Sequence, residues 1–177
     1  MRTPNNWRTV SAALLCLGLV IPLTLATRFA PAGAAGEAPS YSSVPMQSWT
    51  LNGVGRSILK VGNTIYVGGS FTQAISPDGT QRVDRRNLAA FDATTGAPIA
   101  SFRADADNAV YNIQIDGDTL YVGGVFTSIG GTSRARLAAI DATTGAVRPA
   151  FSADTNGNVY NLSLTAGKLY VGGAFTT

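Results

Sequence analysis

Histidine is absent from all 177 residues. That removes the side chain most used as a general base near neutral pH and as a metal ligand, and it excludes nucleophilic triads and zinc sites of the ordinary kind. Cysteine occurs once, at Cys16 inside an apolar run, so no disulfide forms within the chain and it must hold together by packing. Glutamate also occurs once, at Glu37, and a glycosidase-type carboxylate pair would have to come from aspartates. There is no G-x-S-x-G elbow and no glycine loop opening a helix, because the glycine pairs lie inside strand-like stretches. Only 13% of residues are charged, and the formal net charge of +3 comes from Arg2, Arg8 and Arg28. From Ala35 onward ten basic and ten acidic side chains cancel. The alkaline character therefore belongs to the N-terminal segment, and no basic patch for nucleic acid is expected.

What is present is repetition. IYVGGSFT (Ile65 to Thr72) returns as LYVGGVFT (Leu120 to Thr127) and LYVGGAFT (Leu169 to Thr176), and VYNIQI at Val110 returns as VYNLSL at Val159, a step of 49 residues. A period of roughly 50 is the span of one four-stranded propeller blade, so the expected class is all-β, with β-propeller-type repeats. Within one unit, Val110 to Ile115 alternates, which predicts a half-buried strand with Tyr111, Ile113 and Ile115 on one face. Asp116 to Asp118 supplies a tight turn, and Leu120 to Phe126 is the second strand. Its glycine pair, and the equivalents Gly68, Gly69, Gly172 and Gly173, mark a close approach beside Gly123 and Gly124. That approach is either a packing device or a backbone surface for a ligand. LAAFDATTG (Leu88 to Gly96) and LAAIDATTG (Leu137 to Gly145) read as a third strand and a turn, in which Asp92 and Asp141 accept turn amides. Phe102 and Phe151 close the units as core plugs. A residue needed in every unit recurs, whereas a catalytic residue usually occurs once, so these recurrent residues are read as structural.

The N-terminus has another layout. Arg2 and Arg8 precede an apolar run from Val10 to Ala26, and Ala32-Gly33-Ala34 follows. This is the pattern of a secretory signal peptide cut near Ala34, which predicts a secreted or extracellular protein. A permanent anchor is the alternative, since 17 residues lie at the lower limit for a membrane span. Residues 35–43 read as a linker. Val44 to Trp49 then loosely echoes the end of a unit and is expected to be a closing strand whose companions lie elsewhere, so residues 44–177 read as a partial propeller: closing strand, two full repeats and the start of a third.

The first unit carries an insertion. Fifteen residues separate Thr72 from Leu88, where nine separate Thr127 from Leu137. Insertions in repeat proteins map to loops on one face, often the binding face, which makes Arg82, Arg85 and Arg86 candidate partner-binding residues, although a solvated charged loop needs no special purpose and is the reading preferred. Arg85 aligns with Arg134, so a structural role for it stays open. The one metal-like run is Asp154, Asn156 and Asn158, whose alternating oxygens suit calcium. It lacks the glycine and glutamate that complete an EF-hand-type loop, and a polar turn is the reading preferred. Asp105 and Asp154 also recur.

Taken together, the YVGG strand, the variable loop, the LAAxDATTG turn and the terminal aromatic resemble the secreted bacterial β-propellers built from delta-60-type repeats, over Val44 to Thr177. They are similar to kelch repeats in the double glycine and to quinoprotein repeats in the AxDxxTG turn. Phe102 and Phe151 stand where a quinoprotein has a docking tryptophan, so no cofactor is expected. The resemblance implies an N-terminal fragment of such a protein, most simply a non-catalytic extracellular module for binding or scaffolding. Its expected partner is envelope carbohydrate or protein, with membrane contact only through an uncleaved leader. The alternative it leaves is the first part of a secreted propeller hydrolase or oxidoreductase whose catalytic residues lie in further blades.

Overall fold

The computed structural model describes residues 48–177. The expected signal peptide (1–34), the linker (35–43) and most of the expected closing strand lie outside the described residues. The described chain is all-β. After β1 (Thr50–Leu51), the strands β2 (Val54–Val61), β3 (Thr64–Ser70) and β6 (Leu88–Asp92) form one antiparallel meander. The strands β7 (Val110–Asp116), β8 (Thr119–Gly124) and β11 (Leu137–Asp141) form a second, and β12 (Val159–Thr165) with β13 (Lys168–Gly173) a two-stranded third. Single bridges, Phe91 to Pro98 and Ile140 to Val147, add a fourth line to the first two sheets.

The insertion is not an irregular loop. β4 (Gln73–Ile75) and β5 (Arg82–Asp84) pair as a hairpin beside β1, where the second unit has only β9 (Ser128–Ile129) and β10 (Thr132–Ser133). In the short version Gly130 and Gly131 take φ of 56° and 73°, the left-handed pair of a two-residue turn. In the long one Asp78 ties the tip, accepting from the Thr80 amide at 3.1 Å, from the Thr80 hydroxyl at 2.8 Å and from the Ser76 hydroxyl. The extra residues thus lengthen an existing hairpin.

The alternation expected for Val110 to Ile115 is broken by a bulge. Val110 stands opposite Gly124, but Asn112 stands opposite Gly123, leaving Tyr111 unpaired. One extra residue resets the pleat, so the buried side chains are Val110 and Ile113, and Tyr111 does not share the face of Ile113. The same bulge recurs at Arg56 in β2 and at Tyr160 in β12.

The glycine pair answers to this geometry. A Cβ on Gly124 would lie 2.2 Å from the Ala109 carbonyl oxygen, and one on Gly69 or Gly173 would be equally close to the carbonyl of Val54 or Asn158. The second glycine therefore admits the bulged backbone of its own sheet. The first admits the next sheet: a Cβ on Gly68 would lie 2.5 Å from Val110 Cγ1, and one on Gly123 2.6 Å from Val159 Cγ1. Around these knobs the core forms. Tyr66, Leu88 and Ala90 of the first sheet pack with Ile113, Leu120, Val122 and Ile140 of the second, each large aliphatic contributing about 1.5–3 kcal/mol by leaving water. Phe102 meets Tyr66 edge-on at 5.6 Å, and Phe151 repeats the contact with Tyr121 at 5.5 Å.

Candidate functional site

The recurrent acidic side chains hold the backbone in place. Asp92 accepts the amides of Thr94 and Thr95, and Asp141 those of Thr143 and Thr144, all between 2.8 and 3.0 Å. Donation by the Thr95 amide holds the Asp92 carboxyl below its ordinary range, and the Thr144 amide does the same for Asp141. Asp105 accepts the Arg86 amide at 2.7 Å and Asp154 the Ala135 amide at 2.6 Å, so each ties its own segment to the preceding unit. A third set is less obvious in the sequence. Asn52, Asp107 and Asn156 each accept the amides of the Thr that ends a YVGGxFT phrase and of the residue after it. Burial raises the Asp107 pKa, but donation by the Thr127 hydroxyl and the Thr127 and Ser128 amides outweighs it and leaves the group lowered.

This accounts for most of the metal-like run. Asp154 bonds to Ala135, Asn156 to the end of the third phrase, and Asn158 offers its main-chain carbonyl to Ala174 at 2.8 Å. Among the described residues no group of three or more acidic, Cys or His side chains gathers as a metal site would.

The insertion arginines part company. Arg82 and Arg86 are exposed, but Arg85 is only 1% exposed. Its guanidinium donates to the carbonyls of Asp84 at 2.8 Å and Ile99 at 3.1 Å, while burial and the nearby Arg103 lower its pKa. Arg134, its counterpart, donates likewise to the Ser133 carbonyl at 2.9 Å. The expectation that Arg85 belongs to a partner-binding patch is therefore corrected. Its stem and head are built into the unit, and the exposed patch consists of Arg82 and Arg86 on the hairpin β4–β5 and its exit.

A second surface comes from the bulges. The first strands of the three sheets lie side by side, with the Ile113 amide donating to the Ser57 hydroxyl at 3.2 Å and Asn112 to Asn161 at 3.3 Å. The bulged residues line up across them: the Arg56 guanidinium lies 5.1 Å from the centre of the Tyr111 ring, and Tyr111 stacks on Tyr160 at 5.9 Å. Beside this column Asn112 Oδ1 is buried without a partner.

No family model and no curated protein matches the chain. Among solved structures, the crystal structure of the computationally designed Ika4 protein is similar at 12% identity and a TM-score of 0.37, over 69% of this chain and 86% of that one. A likeness at that level carries no weight for fold or function.

Sequence reading missed the threonine clip and the bulge column. The clip had a signal: Asn52, Asp107 and Asn156 each stand 20 residues before the Thr of the phrase that follows. The column had none, because Arg56 and Tyr111 share no chemistry that would align them. A further pair was equally hidden. Asn87 and Arg136 hold φ of 63° and 68°, and their unlike side chains donate to equivalent carbonyls of the next unit, Ala106 and Thr155, both at 2.8 Å.

Proposed function

We propose that this chain is a non-catalytic extracellular module of β-propeller type, built from delta-60-like units and exported by a leader ending near Ala34. Its role on this reading is to bind an envelope carbohydrate or protein through the hairpin β4–β5. The single observation that carries it is the contrast between committed and free polar groups: the recurrent Asp and Asn side chains are bonded to turn and edge amides, whereas Arg82 and Arg86 project from the one hairpin that departs from the common plan. Three successive sheets with the same bulge, and first strands side by side, favour the propeller reading. Exposed arginines without a fixed carboxylate suit acidic glycans or carboxylates, and such attraction weakens as salt rises.

The test is a pull-down of cell-wall polysaccharide and envelope extract with the parent chain and the double variant Arg82→Ser/Arg86→Ser, across a salt series. The variant should keep its fold, since exposed changes usually alter stability by no more than about 0.5 kcal/mol, and should lose the salt-sensitive part of binding. Binding that is identical for the two proteins at every salt concentration would remove the hairpin from the account.

A further inference from the structure

Two departures from the common plan of the units meet at one place. Trp49 stands three residues before Asn52, whereas Ala104 and Ala153 stand three before Asp107 and Asn156. The first unit also has the long hairpin β4–β5, where the second turns through Gly130 and Gly131. In the second unit the short tip rests on the adjoining backbone: a Cβ on Gly130 would lie 3.6 Å from the Gly145 carbonyl oxygen and 3.8 Å from that of Arg103, and Ala104 is buried. In the first unit the large ring and the long tip leave between them a cleft of about 410 Å³, lined by Trp49, Ser76, Pro77, Asp78 and Gln81. That lies inside the roughly 300–1,000 Å³ range of small-ligand clefts. Both departures are read by comparing units, so they hold wherever the array starts.

We propose that this cleft is a subsite for one uncharged sugar ring of a glycan, which rests on the reading of the hairpin as a binding element and gives it a ligand class. A pyranose offers an apolar C–H face and a rim of hydroxyls. An indole supplies a rigid apolar surface for such a face, at little cost in side-chain entropy. Trp49 is itself anchored, because it packs against the cluster of Val67, Phe71 and Ala74.

The hydroxyls need polar groups at the edge of the ring, and the hairpin tip presents them. An ionised carboxylate has about four acceptor sites. In Asp78 three are filled, two on Oδ1 by the Ser76 hydroxyl and the Thr80 amide and one on Oδ2 by the Thr80 hydroxyl, which leaves one on Oδ2. Gln81 is exposed and adds an amide donor and acceptor, on a backbone whose own amide is fixed by the Ser76 hydroxyl at 2.9 Å. None of the five lining residues is cationic, and the Asp78 charge disfavours an anion. The cleft therefore takes a neutral sugar, while Arg82 and Arg86 outside it suit an acidic one.

The experiment is isothermal titration of the full chain with cellohexaose, chitohexaose and mannohexaose, at about 1 M salt so that attraction to the arginines is screened. At least one should bind the parent. Trp49→Ala, which installs the residue of the other units, should weaken that binding about tenfold, and Gln81→Ala severalfold through the loss of a hydrogen bond; far-UV circular dichroism verifies each fold. Should Trp49→Ala misfold, Gln81→Ala decides, since Gln81 is exposed. Arg82→Ser/Arg86→Ser should bind these neutral probes as the parent does, so the cleft and the charged hairpin are tested separately: the salt-sensitive pull-down can fail while the neutral probes still bind, and the reverse. No binding of any of the three probes, or equal affinity in the parent, Trp49→Ala and Gln81→Ala, overturns the proposal and leaves Trp49 as a prop for the longer hairpin.

Discussion

An alanine at Gly123 should destabilise the fold, while the chemically identical change at Gly172 should not. The added methyl at 123 would lie 2.6 Å from Val159 Cγ1 and 3.2 Å from Leu162 Cγ, and both side chains are already packed, at 0% and 2% exposure. Neither has room to retreat, because Val159 and Leu162 sit among Leu137, Tyr121 and Phe151. Overpacking of this kind typically costs about 1–3 kcal/mol. With a urea m-value of about 2 kcal/mol/M, a loss of ~2 kcal/mol lowers the unfolding midpoint by about 1 M. At Gly172 the new methyl meets nothing closer than 3.8 Å, and the reduced freedom of the unfolded chain favours the variant by a few tenths of a kcal/mol. The assay is urea unfolding followed by far-UV circular dichroism, with m-values compared so that a changed denatured state is recognised. Equal midpoints for Gly123→Ala and the parent, or an equal loss at both positions, would refute the assignment of the first glycine to packing between sheets.

Acid should weaken the fold through its turn carboxylates. Asp92, Asp107 and Asp141 have folded pKa values lowered by amide and hydroxyl donors, and Asp78 is lowered to about 2, first by the Ser76 hydroxyl. The unfolded chain, with carboxyls near 3.9, then binds more protons in acid, so the stabilisation is complete above about pH 5 and is lost as the pH falls through the folded values. Thermal melts between pH 5 and pH 2 should decline for the parent and decline less for Asp92→Asn/Asp141→Asn; a flat parent profile would contradict the capping role. Calcium, by contrast, should leave the melting temperature unchanged in millimolar ion against chelator, because a ligand raises it only by binding the folded state and Asp154 and Asn156 already bond to backbone amides. A rise of many degrees that disappears in Asp154→Ala would make the run a metal site.

Local chemistry was readable from the sequence wherever a residue acts on its own neighbours. The period, the strands, and the turn carboxylates at Asp92 and Asp141 follow from spacing and from Asx geometry, because a side chain capping an amide two or three residues away needs nothing from the rest of the fold. The glycine pair was legible as a close approach, but which atoms approach was not. One glycine faces a carbonyl of its own sheet and the other a valine of the next, and that split depends on the bulge. A bulge leaves no composition signal: alternation through Tyr111 reads the same with or without it, yet a single extra residue decides that Val110 is buried and Tyr111 joins Arg56 and Tyr160. Arg85 shows the same limit. As a string, Arg82, Asp84, Arg85 and Arg86 form one charged cluster, but β5 turns Arg85 into the unit toward the Ile99 carbonyl, 14 residues on, and leaves the other two outside. Contacts made across strands and sheets, where register and pleat set the direction of each side chain, were decided only by the tertiary structure.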